Sequence, residues 1–176
     1  MSPARPPGRA IRSVPELLAH ALAIEREAEE RYAELADQMA VHHNAAAEKL
    51  FRRLAHIESR HVAQIGQMSG GMELPQPAPW EYRWREAQSP EAIDTGVVHY
   101  LLSAHAAVRL ALQREIKAEE FYRGVAAGAR ASAVRRMALE LAEEEAEHVR
   151  WLEQWLRDTP APARAAEDPD PPVAQE

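Results

Sequence analysis

Apolar residues recur every three or four positions in four separate stretches of this chain, and that rhythm limits it to helices. No stretch alternates apolar and polar residues in the manner of a strand. The first stripe is Val14, Leu17, Leu18, Ala21, Ala28, Tyr32, Leu35 and Met39, on a helix predicted from Val14 to Met39. It opens on Ser13-Val14-Pro15-Glu16, a capping box with proline in the first turn. A second helix starts near the cap candidate Asn44 and carries Ala47, Leu50, Phe51, Leu54, Val62 and Ile65 on one face. The short Val41-His42-His43-Asn44 link makes these two helices antiparallel neighbours. A third is predicted from about Ser103 to Ala127, with Val108, Leu112, Tyr122 and Val125 inward. A fourth runs from about Ser132 to Leu156, with Val134, Met137, Leu141, Leu152 and Trp155 inward.

From Gly66 to about Ser103 the rhythm breaks. Gly70, Gly71, Pro75, Pro77, Pro79 and Pro90 rule out a continuous helix there. Trp80, Tyr82 and Trp84 predict that this stretch packs against the rest, and Ser89-Pro90-Glu91 reads as the start of a short helix leading to Tyr100. A connection this long can run the length of a bundle, so that the next helix pair starts at the far end. The predicted fold is all-α: a four-helix bundle over residues 13–157 with a long crossover between helices 2 and 3. Residues 1–12, rich in Pro and Arg, read as a flexible arm, and residues 158–176, rich in Pro, Ala and acid, as a disordered tail.

Composition removes several function classes. The net charge of −7, with no basic stripe, argues against nucleic-acid binding. With no cysteine, disulfides, thiolate catalysis and thiolate-bound metal centres are excluded. Any metal here must be held by carboxylate and imidazole. The basic N-terminus lacks the apolar segment of a secretory signal, and no run is long enough to span a bilayer. The expectation is a cytoplasmic protein with no membrane partner.

Each predicted helix places a carboxylate where a core residue belongs. Glu25 lies between Ala21 and Ala28, Glu58 one turn past Leu54, Glu115 between Leu112 and Tyr122, and Glu145 one turn past Leu141. Four converging, unpaired carboxylates in a core would be expensive and mutually repulsive. Two divalent metals are the simplest neutralising partner. Glu58-Ser59-Arg60-His61 and Glu145-Ala146-Glu147-His148 are the only Glu-x-x-His pairs in the chain, and that spacing puts both side chains on one helix face. Tyr32 follows Glu25, and Tyr122 follows Glu115, by the same seven residues. Glu-x6-Tyr followed by Glu-x-x-His thus occurs twice, once per helix pair, an internal repeat of a half-site. It matches the bundle pattern in which two helices give one Glu and two give Glu-x-x-His. The tyrosine hydroxyls could hydrogen-bond the metal-bound carboxylates from behind.

A single Glu-x-x-His on a charged helix is most often solvated surface; the case rests on four matched elements falling on four core faces. Tyr32 and Tyr122 could equally be plain core residues. His20, His42, His43, His56 and His99 fall off the stripes or in links and read as surface residues, and His105 as a packed histidine. Trp151 and Trp155 read as packing residues.

At these residues the sequence resembles the rubrerythrin branch of the ferritin-like superfamily. AIEREAEERYAELA, RRLAHIESRHVAQI, ALQREIKAEEFYRGVA and ALELAEEEAEHVRWL are similar to its four ligand helices, and the resemblance covers roughly Ser13 to Arg157. It implies a ferritin-like bundle with di-iron ligands Glu25, Glu58, His61, Glu115, Glu145 and His148, and with Tyr32 and Tyr122 behind them. It also implies a homodimer or higher homo-oligomer, and reaction of iron with hydrogen peroxide or oxygen. Two departures matter. The rubredoxin-like domain with four cysteines is missing, as in the shorter erythrin type, so electrons come from Fe(II) itself or an external electron donor. The additional Glu three residues after the third-helix ligand is replaced by Ala118, which leaves the redox-driven swap between that Glu and a His without its Glu unless Glu119 substitutes.

The function these features predict is a non-haem di-iron oxidoreductase that reduces peroxide or oxygen. The alternatives are a ferroxidase or iron-handling subunit of a larger assembly, a substrate oxygenase, and a helical interaction protein whose acidic core has lost its metal. Two iron ions are the expected cofactor, and the same donor set admits manganese.

Overall fold

The computed structural model describes residues 11–78, 81–82, 84, 89–90 and 102–158. Residues 1–10 of the arm, the tail from 159, Trp80, His99 and most of the short helix predicted toward Tyr100 lie outside the described residues. Four helices carry the fold: α1 Val14–Val41, α2 Ala45–Met68, α3 Ala104–Gly128 and α4 Ser132–Asp158. No strand occurs among the described residues, and no helix among them is long and apolar enough to cross a membrane. This is an all-α, ferritin-like four-helix bundle with its long crossover between α2 and α3.

The helix ends follow from local chemistry. Ser13 Oγ accepts the Glu16 N–H at 3.3 Å and starts α1. The reciprocal bond of the predicted capping box closes one residue further out, because the Glu16 carboxylate takes the Arg12 N–H at 2.8 Å. Asn44 caps α2 by accepting the Ala47 N–H at 3.3 Å, and Ser103 caps α3 by accepting that of Ala106 at 3.1 Å. In the link between α1 and α2, His43 takes a left-handed conformation, φ 56°. The second helix continues past Gly66 to Met68, since one glycine costs a helix only about 1 kcal/mol.

α1 packs along α2 and α3 along α4, and the pairs meet through α2–α3 and α1–α4 contacts. Asn44 fixes how the pairs are joined: its side-chain amide donates to the Leu102 carbonyl at 2.8 Å. The start of α3 therefore sits beside the start of α2.

The apolar interior falls into two bodies. One gathers Leu17, Leu18 and Ile24 with Phe121, Tyr122, Val134 and Leu141. The other gathers Tyr32, Leu35, Met39, Phe51 and Leu54 with Val108 and Leu152. On every helix one acid falls between the two bodies: Glu25, Glu58, Glu115 and Glu145. Periodicity missed Ile24, which is fully buried, and set Leu112, Val125, Met137 and Trp155 deeper than their half-buried positions. Ile11, counted with the arm, is buried in the first body, and Asp158, counted with the tail, closes α4 while accepting the Gln154 amide at 2.9 Å.

His20 corrects a sequence expectation. It is 1% exposed rather than a surface residue. Leu17 through Ala21 are all buried because the crossover covers the outer side of α1 there, laying Tyr82 and Trp84 against the His20 ring at 5.1 and 5.3 Å. His42, His43 and His56 are exposed, as expected.

Candidate metal centre

Helical spacing aims one carboxylate from each helix into the layer between the apolar bodies. Glu25, Glu58, Glu115 and Glu145 are each no more than 2% exposed. Burying an apolar side chain contributes about 1.5–3 kcal/mol. Burying a charge costs several kcal/mol even after relaxation, so the neighbouring leucines do not offset four acids.

The residues come together in two groups. The ligating atoms of Glu25, Glu58 and His61 lie within 4.8 Å of one another, and so do those of Glu115, Glu145 and His148. His61 Nδ1 is 3.2 Å from Glu25 Oε2 and 3.3 Å from Glu58 Oε2. His148 Nδ1 is 3.2 Å from Glu115 Oε2 and 3.5 Å from Glu145 Oε2. The two imidazoles stack on each other, centroids 4.7 Å apart and planes 5° from parallel, which sets the half-sites side by side. Tyr122 is fully buried, and its hydroxyl donates to Glu25 Oε1 at 3.4 Å. Tyr32 is also fully buried and stacks on Phe51 at 6.2 Å.

Protons are held tightly in this layer. Burial is the largest cause pushing Glu58 up to about 8, with repulsion from Glu115 and Glu25 adding to it and the His61 hydrogen bond opposing it. Burial, then repulsion from Glu25, Glu115 and Glu58, pushes Glu145 well above the usual carboxylate range. Burial works to lower the histidines, but their carboxylate partners prevail: Glu25 and Glu58 raise His61 to about 9, and Glu115 leads the groups that raise His148.

The donor set fits two divalent cations. Glu58 Oε1 is buried and accepts no hydrogen bond, and Glu145 Oε2 is buried with His148 Nδ1 at 3.5 Å but outside hydrogen-bond geometry; these are the two acids of the Glu-x-x-His pairs. A buried oxygen left this way calls for a cation or a proton. Carboxylate oxygen with imidazole nitrogen suits iron or manganese. The family described as Rubrerythrin matches residues 16–104 and 106–168. This chain belongs to the rubrerythrin family. Among solved structures, it is similar to an uncharacterized conserved protein from Magnetospirillum magnetotacticum MS-1, at 39% identity and a TM-score of 0.66, over 86% of this chain and 99% of that one. It is also similar to a hypothetical protein from Pyrococcus furiosus, at 26% identity and a TM-score of 0.52, over 82% of this chain and 89% of that one. No curated protein matches it.

As a rubrerythrin-family member, the chain departs at one helix position. Ala118 is fully buried where the additional Glu was expected. Glu119 belongs to neither acid group; its carboxylate binds the Arg123 guanidinium at 2.7 Å. Spacing alone also did not reveal the bond from the Gln64 amide to Glu144 at 2.6 Å, which ties α2 to α4 one turn beyond His61.

Proposed function

We propose that this chain is a non-haem di-iron oxidoreductase of rubrerythrin type that reduces hydrogen peroxide or oxygen. The duplicated half-site carries the reading: two Glu–Glu–His groups, buried side by side, whose Glu-x-x-His acids each keep an oxygen that no hydrogen bond claims. Glu25, Glu58, His61, Glu115, Glu145 and His148 are the ligands of this proposal. Two ferrous ions held there would supply the two electrons that, with two protons, take one peroxide to two waters. The chain's own part is to hold and orient. Tyr122 fixes Glu25 through its hydroxyl, and the apolar bodies on either side limit water at the layer. The reading expects an external electron donor and a homodimer or higher homo-oligomer.

A second reading has its own support. With Ala118 buried and Glu119 committed to Arg123, the additional carboxylate is missing, which favours a ferroxidase or iron-handling protein over rapid peroxide turnover. Anaerobic Fe(II) loading followed by either oxidant separates them. Ferric absorption that rises faster with peroxide than with oxygen supports the first. Oxidation by oxygen in a large native assembly supports the second, and no ferric absorption with either oxidant defeats both.

A further inference from the structure

Four aromatic rings run in contact from the carboxylate layer to the crossover. The innermost, Tyr122, meets Phe121 edge-on at 5.3 Å. Phe121 meets Trp84 at 5.4 Å, and Trp84 lies flat on Tyr82 at 5.0 Å with 3° between the planes. Phe121 is buried, whereas Trp84 and Tyr82 are half-buried and reach the surface. His20 braces the outer pair, its Nδ1 held on the Glu16 carbonyl at 2.8 Å.

We propose that Tyr82, Trp84, Phe121 and Tyr122 form a one-electron path between the metal centre and the surface of the crossover; it rests on the metal-centre reading above. Tyrosine and tryptophan are the side chains that lose one electron most readily. Tyrosine does so only while giving up its phenolic proton, so it needs a base within reach. Tyr122 has one, Glu25 Oε1 at 3.4 Å. When a one-electron oxidant in solution oxidises Trp84 or Tyr82, an electron passes outward from Tyr122 across Phe121 and refills that ring. The Tyr122 proton moves to Glu25, the oxidant is reduced by one electron, and a neutral tyrosyl radical remains inside. With a one-electron reductant at the surface the same path runs inward and the proton returns to Tyr122.

The test is flash photo-oxidation of the metal-free full chain with a ruthenium polypyridyl oxidant, read by electron paramagnetic resonance. The expected result is a long-lived tyrosyl signal that is absent in Tyr122→Phe. Trp84→Phe loses most of that signal, Trp84→Tyr restores it, and Trp151→Phe, outside the ring chain, keeps it. Equal Tyr122 signal in Trp84→Phe and the unsubstituted chain overturns the proposal, as does the absence of any Tyr122 radical. Should Trp84→Phe fail to fold, Phe121→Leu, which takes away the ring between Trp84 and Tyr122, gives the decision: loss of most of the Tyr122 signal supports the path and an equal signal overturns it. Metal stoichiometry is measured separately. A chain that binds two metals but forms no Tyr122 radical loses the path alone; a chain that forms the radical but binds no metal loses the centre.

Discussion

In the α1–α2 half, His61 stands 3.2 and 3.3 Å from its two carboxylates; in the α3–α4 half, His148 stands 3.2 and 3.5 Å from its own. Around that shared geometry the halves differ. The first link is closed by Asn44, which caps α2 and binds Leu102, with His43 at positive φ. The second link has no polar cap: Ala131 offers only its carbonyl to the Arg135 N–H at 3.1 Å, and the Arg135 guanidinium covers the Ala129 carbonyl at 2.9 Å. The ligand geometry repeats to within a few tenths of an ångström in unlike frames. Stability alone gives no reason for that repetition, because buried acids weaken a core. The metal pair proposed above would supply one.

The sharpest way to break the comparison is to remove one matching acid from each half. Glu58→Ala and Glu145→Ala should each lower metal affinity by more than the ~10–100-fold lost with an outer hydrogen-bond partner, and by similar amounts. Calorimetric titration with Mn(II) reads both. An unaffected affinity in either variant would leave the acids as mere core residues.

Next comes pH. In the metal-free fold Glu58 is raised from 4.5 to about 8, so the folded chain keeps a proton that the unfolded chain releases. Its contribution therefore becomes unfavourable as pH rises from about 4.5 toward about 8, by on the order of 5 kcal/mol. His61, raised from 6.5 to about 9, stabilises fully below 6.5 and loses that contribution as pH climbs through about 9. The metal-free melting temperature should fall between about pH 6 and about pH 9. Metal binding, which displaces these protons, should strengthen over the same range. His61→Gln and His148→Gln should each flatten the metal-free profile, and an unchanged profile in one alone would show that the halves do not titrate alike.

The smallest effects belong to the links. Asn44→Ala should cost about 1–2 kcal/mol through the lost cap and the lost bond to Leu102. Ala131→Asp should gain about 0.5–1 kcal/mol by supplying the cap that α4 lacks. Urea unfolding measures both, and equal responses would erase the distinction between the links.

The four helices and the acid on each were legible because helical periodicity is a local property, and a charged residue on an apolar stripe stands out against it. The pairing of His61 with Glu25 was not, because it depends on the register of α1 against α2, which the link and the Asn44 cap determine. The burial of His20 was hidden for a related reason. No spacing within α1 tells that Tyr82 and Trp84, more than sixty residues away, fold back over it. Glu119 sits one position from where the additional acid was expected, and only the structure shows its carboxylate bound to Arg123.

An anaerobic Fe(II) titration of the metal-free chain, with the bound metal counted directly, tests the role of the buried acids without depending on any oxidant. Saturation at two ions per chain, falling below one in the Glu58→Ala/Glu145→Ala double variant, is the predicted result. A chain that takes up no iron, or a double variant that still holds two ions, would contradict it.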